Sequence, residues 1–335
     1  VLVNREAEIT NFQKTTFYVV EALVSGERGS AKFTVWSPQE KQAVRFSAQS
    51  EAQQVAQKIR KERNGTVSLQ KSEQKREAAP QLLNLTGLQQ SANKQLGFSA
   101  SKTLDIAQKL YEQWKCLSYP RTPSRVMGDD DVATIKEAKD MLDAWKPDLA
   151  RHIQKENIQQ SNKRVFDSTK LEDHHALIPL APLSSQAGHD EQAVFEIVCQ
   201  YFAAALSAPA HWESAETFVV IGDETLRNYG RILTSQGWRA CFPQKDEAPP
   251  APFNEGDAVW SDEVSAIEKE TEPPKRFTEA SLLSAMEKPR RFLDKDDPQF
   301  PDGSGIGTPA TRAAIIETLR AKDFIAMKGK SLTPT

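Results

Sequence analysis

The chain has 335 residues, 39% of them hydrophobic and 27% charged, which is enough apolar material for packed cores and too long for one ordinary domain, so roughly two or three are expected. Lysine and arginine number 43 against 46 aspartate and glutamate, a net charge of −3; this argues against a uniformly basic nucleic-acid coat protein but leaves room for a local basic groove. No apolar run approaches the ~20 residues of a membrane span, and no signal-peptide pattern opens the chain. The three cysteines, Cys116, Cys199 and Cys241, are isolated, which fits neither a disulfide framework nor a zinc ribbon and points to a reducing cytoplasm.

In chain order, residues 4–12 read as helix. Residues 17–24 and 31–36 read as strands rich in β-branched and aromatic residues, joined by a turn over 26–30. A helix of about four turns is predicted over 50–63, ended by Asn64-Gly65. A strand at 66–69 then leads into a polar run, 71–79. Helical spacing dominates 85–114, with Leu82, Leu85, Leu88, Ala92 and Leu96 on one side and Ser101 as N-cap of a helix over 103–114. Helices follow over 130–145 and 190–206. Strand signals return at 217–221, 228–233 and 237–240, with a proline loop at 249–252, and the chain is helical again after Pro274. The order is β-rich, helical, β-rich, helical, as if a helical insertion divided one β domain. Both ends read as cut from something longer.

Three groups of residues bear chemistry. In the run 118–125, Tyr119 is followed by Arg121 and Arg125, with hydroxyls at Ser118, Thr122 and Ser124 and a backbone held by Pro120. A phenol with pKa ~10 is a weak nucleophile at neutral pH. An arginine fork beside it matches phosphate oxygens and stabilises charge on an attacked phosphate. Taken alone, a Tyr-Pro-Arg run is more often a structural turn than a site. The second group, Glu172-Asp173-His174-His175, offers one histidine as a phosphate donor or proton shuttle; a complete metal site from one short run is rare. The third is 273–283 followed by the glycine-rich stretch from Gly303, which opens a helix at Thr308 with Pro309 in its first position. Free backbone N–H groups there, with Thr308, Thr311 and Arg312, make an anion site suited to DNA phosphate; a capped helix after a loop is an equal reading.

Together these segments, with 3–12, 85–89 and 103–112, resemble the signature segments of type IA DNA topoisomerases, nearest the bacterial topoisomerase III group, and they occur in that family's order over nearly the whole chain. The resemblance implies a multi-domain α+β fold, part of a toroid. Residues 1–14 and 266–335 would form a helical DNA-binding base, 15–82 and 214–265 a β-rich arch, and 83–213 the helical domain carrying the nucleophile. It implies that Tyr119 cleaves single-stranded DNA and keeps the 5′ phosphate as a phosphotyrosine ester, with Arg121 and His174 as catalytic partners at that phosphate. Ser118, Thr122, Ser124, Arg125, Thr308, Thr311 and Arg312 would contact the DNA. Strand passage and religation follow, without ATP, in a monomer with no membrane partner. Pro123 departs from the pattern, where the family usually has aspartate.

The family also binds Mg²⁺ through an N-terminal Toprim domain with a glutamate and an Asp-x-Asp pair. The chain is expected to be a fragment that lacks it, to hold no metal and to be inactive alone. Asp129-Asp130-Asp131 has the Asp-x-Asp spacing but opens a helix, where acids suit the helix dipole. Two alternatives stand beside this reading. One is a non-catalytic single-stranded DNA-binding module. The weaker is a tyrosine nuclease or relaxase with its own metal, which needs a histidine cluster that His152, His174, His175, His189 and His211 do not make.

Overall fold

The computed structural model describes residues 1–244, 247–292 and 305–335. After a short helix, α1 (Leu2–Thr10), the strands β1 (Thr16–Gly26) and β2 (Gly29–Ser37) form a hairpin in which Gly26 faces Gly29; a two-residue strand, β3 (Gln42–Ala43), pairs with the end of β2. Helix α2 (Gln49–Glu62) leads into β4 (Asn64–Glu77). The predicted Asn64-Gly65 stop is already strand: the chain turns one residue earlier, at Arg63, whose φ is +54°.

Next come α3 (Leu85–Leu96), α4 (Ala100–Glu112), α5 (Val132–Trp145), the single turn α6 (Pro147–Ala150) and α7 (His189–Ala205). Gly97, at φ +73°, ends α3 in the left-handed conformation that glycine adopts without strain. The cap of α4 is Ser99, whose Oγ accepts from the Lys102 N–H at 3.1 Å. Ser101, the predicted cap, lies inside the helix. The chain then forms β5 (Ala210–Ile221), β6 (Glu224–Ser235) and β7 (Ala258–Glu270), followed by α8 (Glu279–Glu287), α9 (Pro309–Ala321) and the hairpin β8 (Ile325–Lys328) with β9 (Ser331–Pro334).

Among the described residues one sheet runs in the order β1-β7-β4-β5-β6-β2-β3, and β1 also pairs with β2, so the strands close on themselves as a barrel. Its interior holds Val20, Val24, Phe33, Val35, Val219, Ile221 and Leu226. Ala52, Ala56 and Ile59 of α2, spaced to share one helix face, complete that core. Beyond Thr66, β4 pairs with no strand other than β5, and the two run together from Gly65↔Ile221 to Glu77↔Ala210. The polar run read as leaving the strand at 71 therefore continues it to Glu77. Apolar alternation fails there because one edge is open to water, and an edge carrying lysine, arginine and glutamate resists pairing with foreign strands. Residues 237–240, predicted as strand, lie in a 3-10 turn (Gly237–Cys241) that packs Trp238 and Cys241 against the helical core while Trp238 Nε1 donates to the Glu77 carbonyl of β4 at 3.3 Å.

Buried residues fall into three clusters: the barrel, a helical core from Leu82 to Leu206 with Cys241, and a smaller one joining Ala100, Phe277, Leu283, Met286, Ala313, Ile316 and Leu332. β5 begins at Ala210 and β7 ends at Glu270, so both strands overrun the 214–265 segment assigned from the sequence. Cys116, Cys199 and Cys241 are free and buried, and burial pushes the Cys116 thiol up to about 12 and that of Cys241 to about 11. No helix among the described residues is long and apolar enough to cross a membrane.

The helical core and the third cluster meet through paired helix ends. Glu279, at the start of α8, accepts the Ala100 N–H of α4 at 2.7 Å, and Asn93 of α3 accepts the Ala280 N–H of α8 at 3.1 Å. Each helix start thus has a backbone donor satisfied from across the joint. Glu279 is 2% exposed, and burial holds its carboxyl above the ordinary 4.5 despite Ala100 and the Arg320 guanidinium 3.9 Å away. The folded protein therefore binds this proton more tightly than the unfolded chain does, so stability is lost as pH rises past 4.5 toward the folded-state value. Glu279→Gln keeps an acceptor for Ala100 without the charge. Its melting temperature relative to the wild type is expected to climb as pH is raised from about 4 to about 8; a gap that does not change with pH would contradict the assignment.

Candidate active site and nucleic-acid interface

The loop after α4 carries Tyr119 and is laced to the segment 172–180. The Ser118 N–H donates to the Ile178 carbonyl at 3.1 Å; the Ser118 Oγ accepts from the Ile178 N–H at 3.0 Å and donates to the Ala176 carbonyl at 3.1 Å. Thr122 Oγ1 donates to the His174 carbonyl at 2.9 Å and accepts from the Ser124 N–H at 3.1 Å, while the Ser124 Oγ accepts from the Glu172 N–H at 3.0 Å. All three hydroxyl residues are buried, Thr122 completely. The start of α3 braces the other side: the Leu85 N–H donates to the Thr122 carbonyl, and Asn84, while capping α3 through Gly87, donates to the Pro123 carbonyl at 2.8 Å. Pro123, the departure from the family pattern, thus contributes an acceptor at a position where its missing N–H is not called on.

Lacing the two segments brings the rings together. Tyr119 and His174 have centroids 4.4 Å apart at a 48° tilt, and Tyr111 of α4 meets Tyr119 edge-on at 5.6 Å. Tyr119 is half-buried, whereas Arg121 and His174 are exposed. Arg121 has no ion pair among the described residues, so its guanidinium remains available to an anion. His175 points away, its Nδ1 2.8 Å from the Ala176 carbonyl.

For the residues read from sequence as DNA contacts, the structure requires corrections. Ser118, Thr122 and Ser124 spend their hydroxyls on the backbone and do not face solvent. Arg312 is 6% exposed; its Nε donates to the Ile306 carbonyl, one Nη donates to Thr86 Oγ1 at 3.1 Å, and Glu287 lies 3.6 Å away. Its role here is to join α9 to α3 and to the end of α8. Arg125 reaches the same Glu287 at 4.0 Å and stays partly exposed. Thr308 and Thr311 are exposed, but the Thr311 Oγ1 already caps the helix by accepting the Thr308 N–H at 2.8 Å. Gly303 and Ser304 lie outside the described residues.

The sequence reading gave no role to Tyr111, Thr86, Glu279 or Glu287. Helix periodicity would place Tyr111 near the loop, but nothing in the sequence tells that its ring meets Tyr119. Asp131 accepts the Gly128 N–H at 2.8 Å, closing the turn before α5, and Asp129 pairs with Lys163 at 2.9 Å. These acids cap a turn and balance a lysine, and among the described residues no three metal-ligating side chains come together.

Stability separates the two kinds of residue in this loop. Ser118→Ala strands the buried Ile178 N–H and is expected to cost ~1–3 kcal/mol, whereas Arg121→Ala, at an exposed and unpaired position, should stay within ~0.5 kcal/mol of the wild type. Urea denaturation measures both; equal effects would show that the hydroxyl does not hold the loop.

A family model described as DNA topoisomerase matches residues 1–335. DNA topoisomerase 3 of Bacillus licheniformis is 34% identical over 99% of this chain and 47% of its own length, and that of Bacillus subtilis is 32% identical over the same shares. The chain thus spans about half the length of the curated relatives it matches. Full-length topoisomerase I from Thermotoga maritima superposes on all of this chain and 52% of its own with a TM-score of 0.74 at 23% identity, a likeness of fold. With the ordered motifs, the fold and the family's model agreeing from the first residue to the last, the chain belongs to the type IA DNA topoisomerase family.

Proposed function

We propose that this chain carries the strand-cleaving tyrosine of a topoisomerase that acts on single-stranded DNA, and that the nucleophile is Tyr119. The observation that carries this is the pairing of the Tyr119 and His174 rings beside the unpaired Arg121, on a loop held by buried hydrogen bonds. In the reaction the Tyr119 oxygen attacks a backbone phosphorus as the bond to the 3′ oxygen breaks. The phenol gives up its proton, the departing 3′ oxygen gains one, and the 5′ phosphate stays on the tyrosine. Resealing runs the same steps backwards, so the phosphodiester's energy is conserved without ATP.

Arg121 holds the non-bridging oxygens and stabilises the charge that builds on them. His174 donates to the same phosphate or relays a proton. Arg125, with Thr308 and Thr311 on the exposed start of α9, offers further phosphate contacts. The Mg²⁺ implied by the family resemblance does not fit the acids at 129–131, two of which are committed to a turn and a lysine. We assign any metal site to other parts of the longer protein. We expect the chain by itself to bind single-stranded DNA but to cleave it poorly, as a monomer in the cytoplasm.

The test uses the longer protein that carries this chain. Tyr119→Phe is expected to abolish relaxation of an underwound plasmid while leaving oligonucleotide affinity intact, and Arg121→Ala to slow relaxation by about 10²–10³-fold. Relaxation by Tyr119→Phe would remove Tyr119 from the reaction. A wild-type protein that binds single strands and never relaxes the plasmid would make this a binding module.

A further inference from the structure

The open face of the sheet along β6 carries a run of aromatic rings interleaved with arginines. Residues 225, 227, 229 and 231 share that face by strand alternation. Arg227 lies between two rings, 4.2 Å from the centroid of Trp36 and 5.5 Å from that of Tyr229; Phe218 meets Trp36 edge-on. Farther along, Arg231 lies 4.5 Å over Trp212, and Arg239 lies 4.8 Å from Trp212 and 5.0 Å from Trp238. Tyr229 is 49% exposed, large for an aromatic side chain with no task in the core. Gly230, whose neighbours Tyr229 and Arg231 face the track, lies on the opposite face of the strand against the Pro249 backbone, where a Cβ would meet it at 2.4 Å.

Three hollows line this face. One of about 610 Å³ is bounded by Trp36, Phe218, Arg227, Lys41 and Lys71; a second of about 630 Å³ shares Lys71 and reaches Tyr229; a third of about 560 Å³ lies around Trp212, Arg231 and Trp238. Four of the cations are balanced: Arg227 by Glu216, Arg231 by Glu247, Arg239 by Glu77 and Lys75 by Glu73. Lys41 and Lys71 are exposed and have no ion pair among the described residues, so the positive excess of the face rests on them.

We propose that this face is a second contact track for single-stranded DNA, separate from the Tyr119 loop, with bases stacking on Trp36 and Tyr229 and phosphates held by Lys41 and Lys71. The inference rests on the nucleic-acid reading of the chain. Aromatic faces set between cations suit an unpaired strand, whose bases have open π-faces; in a duplex those faces are covered by neighbouring pairs. Separated placement has a use in strand passage, because an enzyme that cuts one strand and moves another must hold more than one segment.

Photocross-linking with single-stranded oligonucleotides that carry 5-iododeoxyuridine tests the proposal on the 335-residue chain. Peptides containing Trp36 or Tyr229 should be labelled as well as those around Tyr119. Lys41→Glu combined with Lys71→Glu should reduce the first labelling about tenfold or more, through lost phosphate contacts, and leave the second unchanged. Labelling confined to the Tyr119 loop would overturn the second track and spare the proposed function; no labelling anywhere would overturn both. Undiminished Trp36 or Tyr229 labelling in the double variant would overturn the assignment of the lysines, and equal labelling by duplex DNA would overturn its single-strand character.

Discussion

The candidate site depends on hydroxyls that never reach solvent. Residues 118–124 and 172–178 belong to no helix or strand, and such segments are normally the mobile part of a fold. Here Ser118, Thr122 and Ser124 replace the missing ladder, each bonded to backbone on the opposing segment or its own. In a buried setting such bonds are hard to give up, because the groups they satisfy have no water to turn to. The outcome is that two exposed chemical groups, His174 and Arg121, stand on fixed backbone around a half-buried Tyr119. The in-line attack proposed for Tyr119 would be served by that arrangement, since small displacements of a reacting group cost large factors in rate.

The joint to the third cluster is built differently. Across it run the Glu279–Ala100 and Asn93–Ala280 contacts and the group of Arg312, Thr86, Glu287 and Arg125. Polar partners of this kind can be exchanged for water one by one as surfaces part, unlike an apolar seam, whose separation exposes area that water does not compensate. Apart from Ala100 of α4, which packs into the third cluster, each of the three clusters keeps its own apolar core.

Much of the fold was legible in the sequence, for identifiable reasons. The β-branched run at 17–24 declares a strand, and the helix read over 50–63 appears as α2, whose buried face the structure shows to be Ala52, Ala56 and Ile59 at i, i+4, i+7. β4 was cut short because Lys71, Glu73, Lys75 and Glu77 look like a loop until an open edge explains them. At 237–240, the strand-like composition around Trp238 forms a 3-10 turn packed on the helical core, with the Trp238 indole donating to Glu77 at the end of β4. At the site, Tyr119 alone favoured a turn, and only the distant motifs in order made it the candidate nucleophile. Serine and threonine beside arginine read as phosphate ligands, yet burial assigned Ser118, Thr122 and Ser124 to the backbone and Arg312 to a brace. Sequence order carries no signal for which hydroxyl is covered, and it gave no hint of the Tyr111–Tyr119 contact.

The most direct test is the single-turnover rate at which the longer protein cleaves an end-labelled single-stranded oligonucleotide when Thr122 is replaced by serine or by valine. Serine keeps the hydroxyl that holds the His174 carbonyl, and valine keeps the shape without it. Thr122→Ser is expected to cleave at close to the wild-type rate. Thr122→Val should be slower by about tenfold or more with unchanged affinity for the strand, because the rings would no longer be held in register. Cleavage by Thr122→Val at the wild-type rate would show that the buried hydroxyls shape the loop without positioning its chemistry.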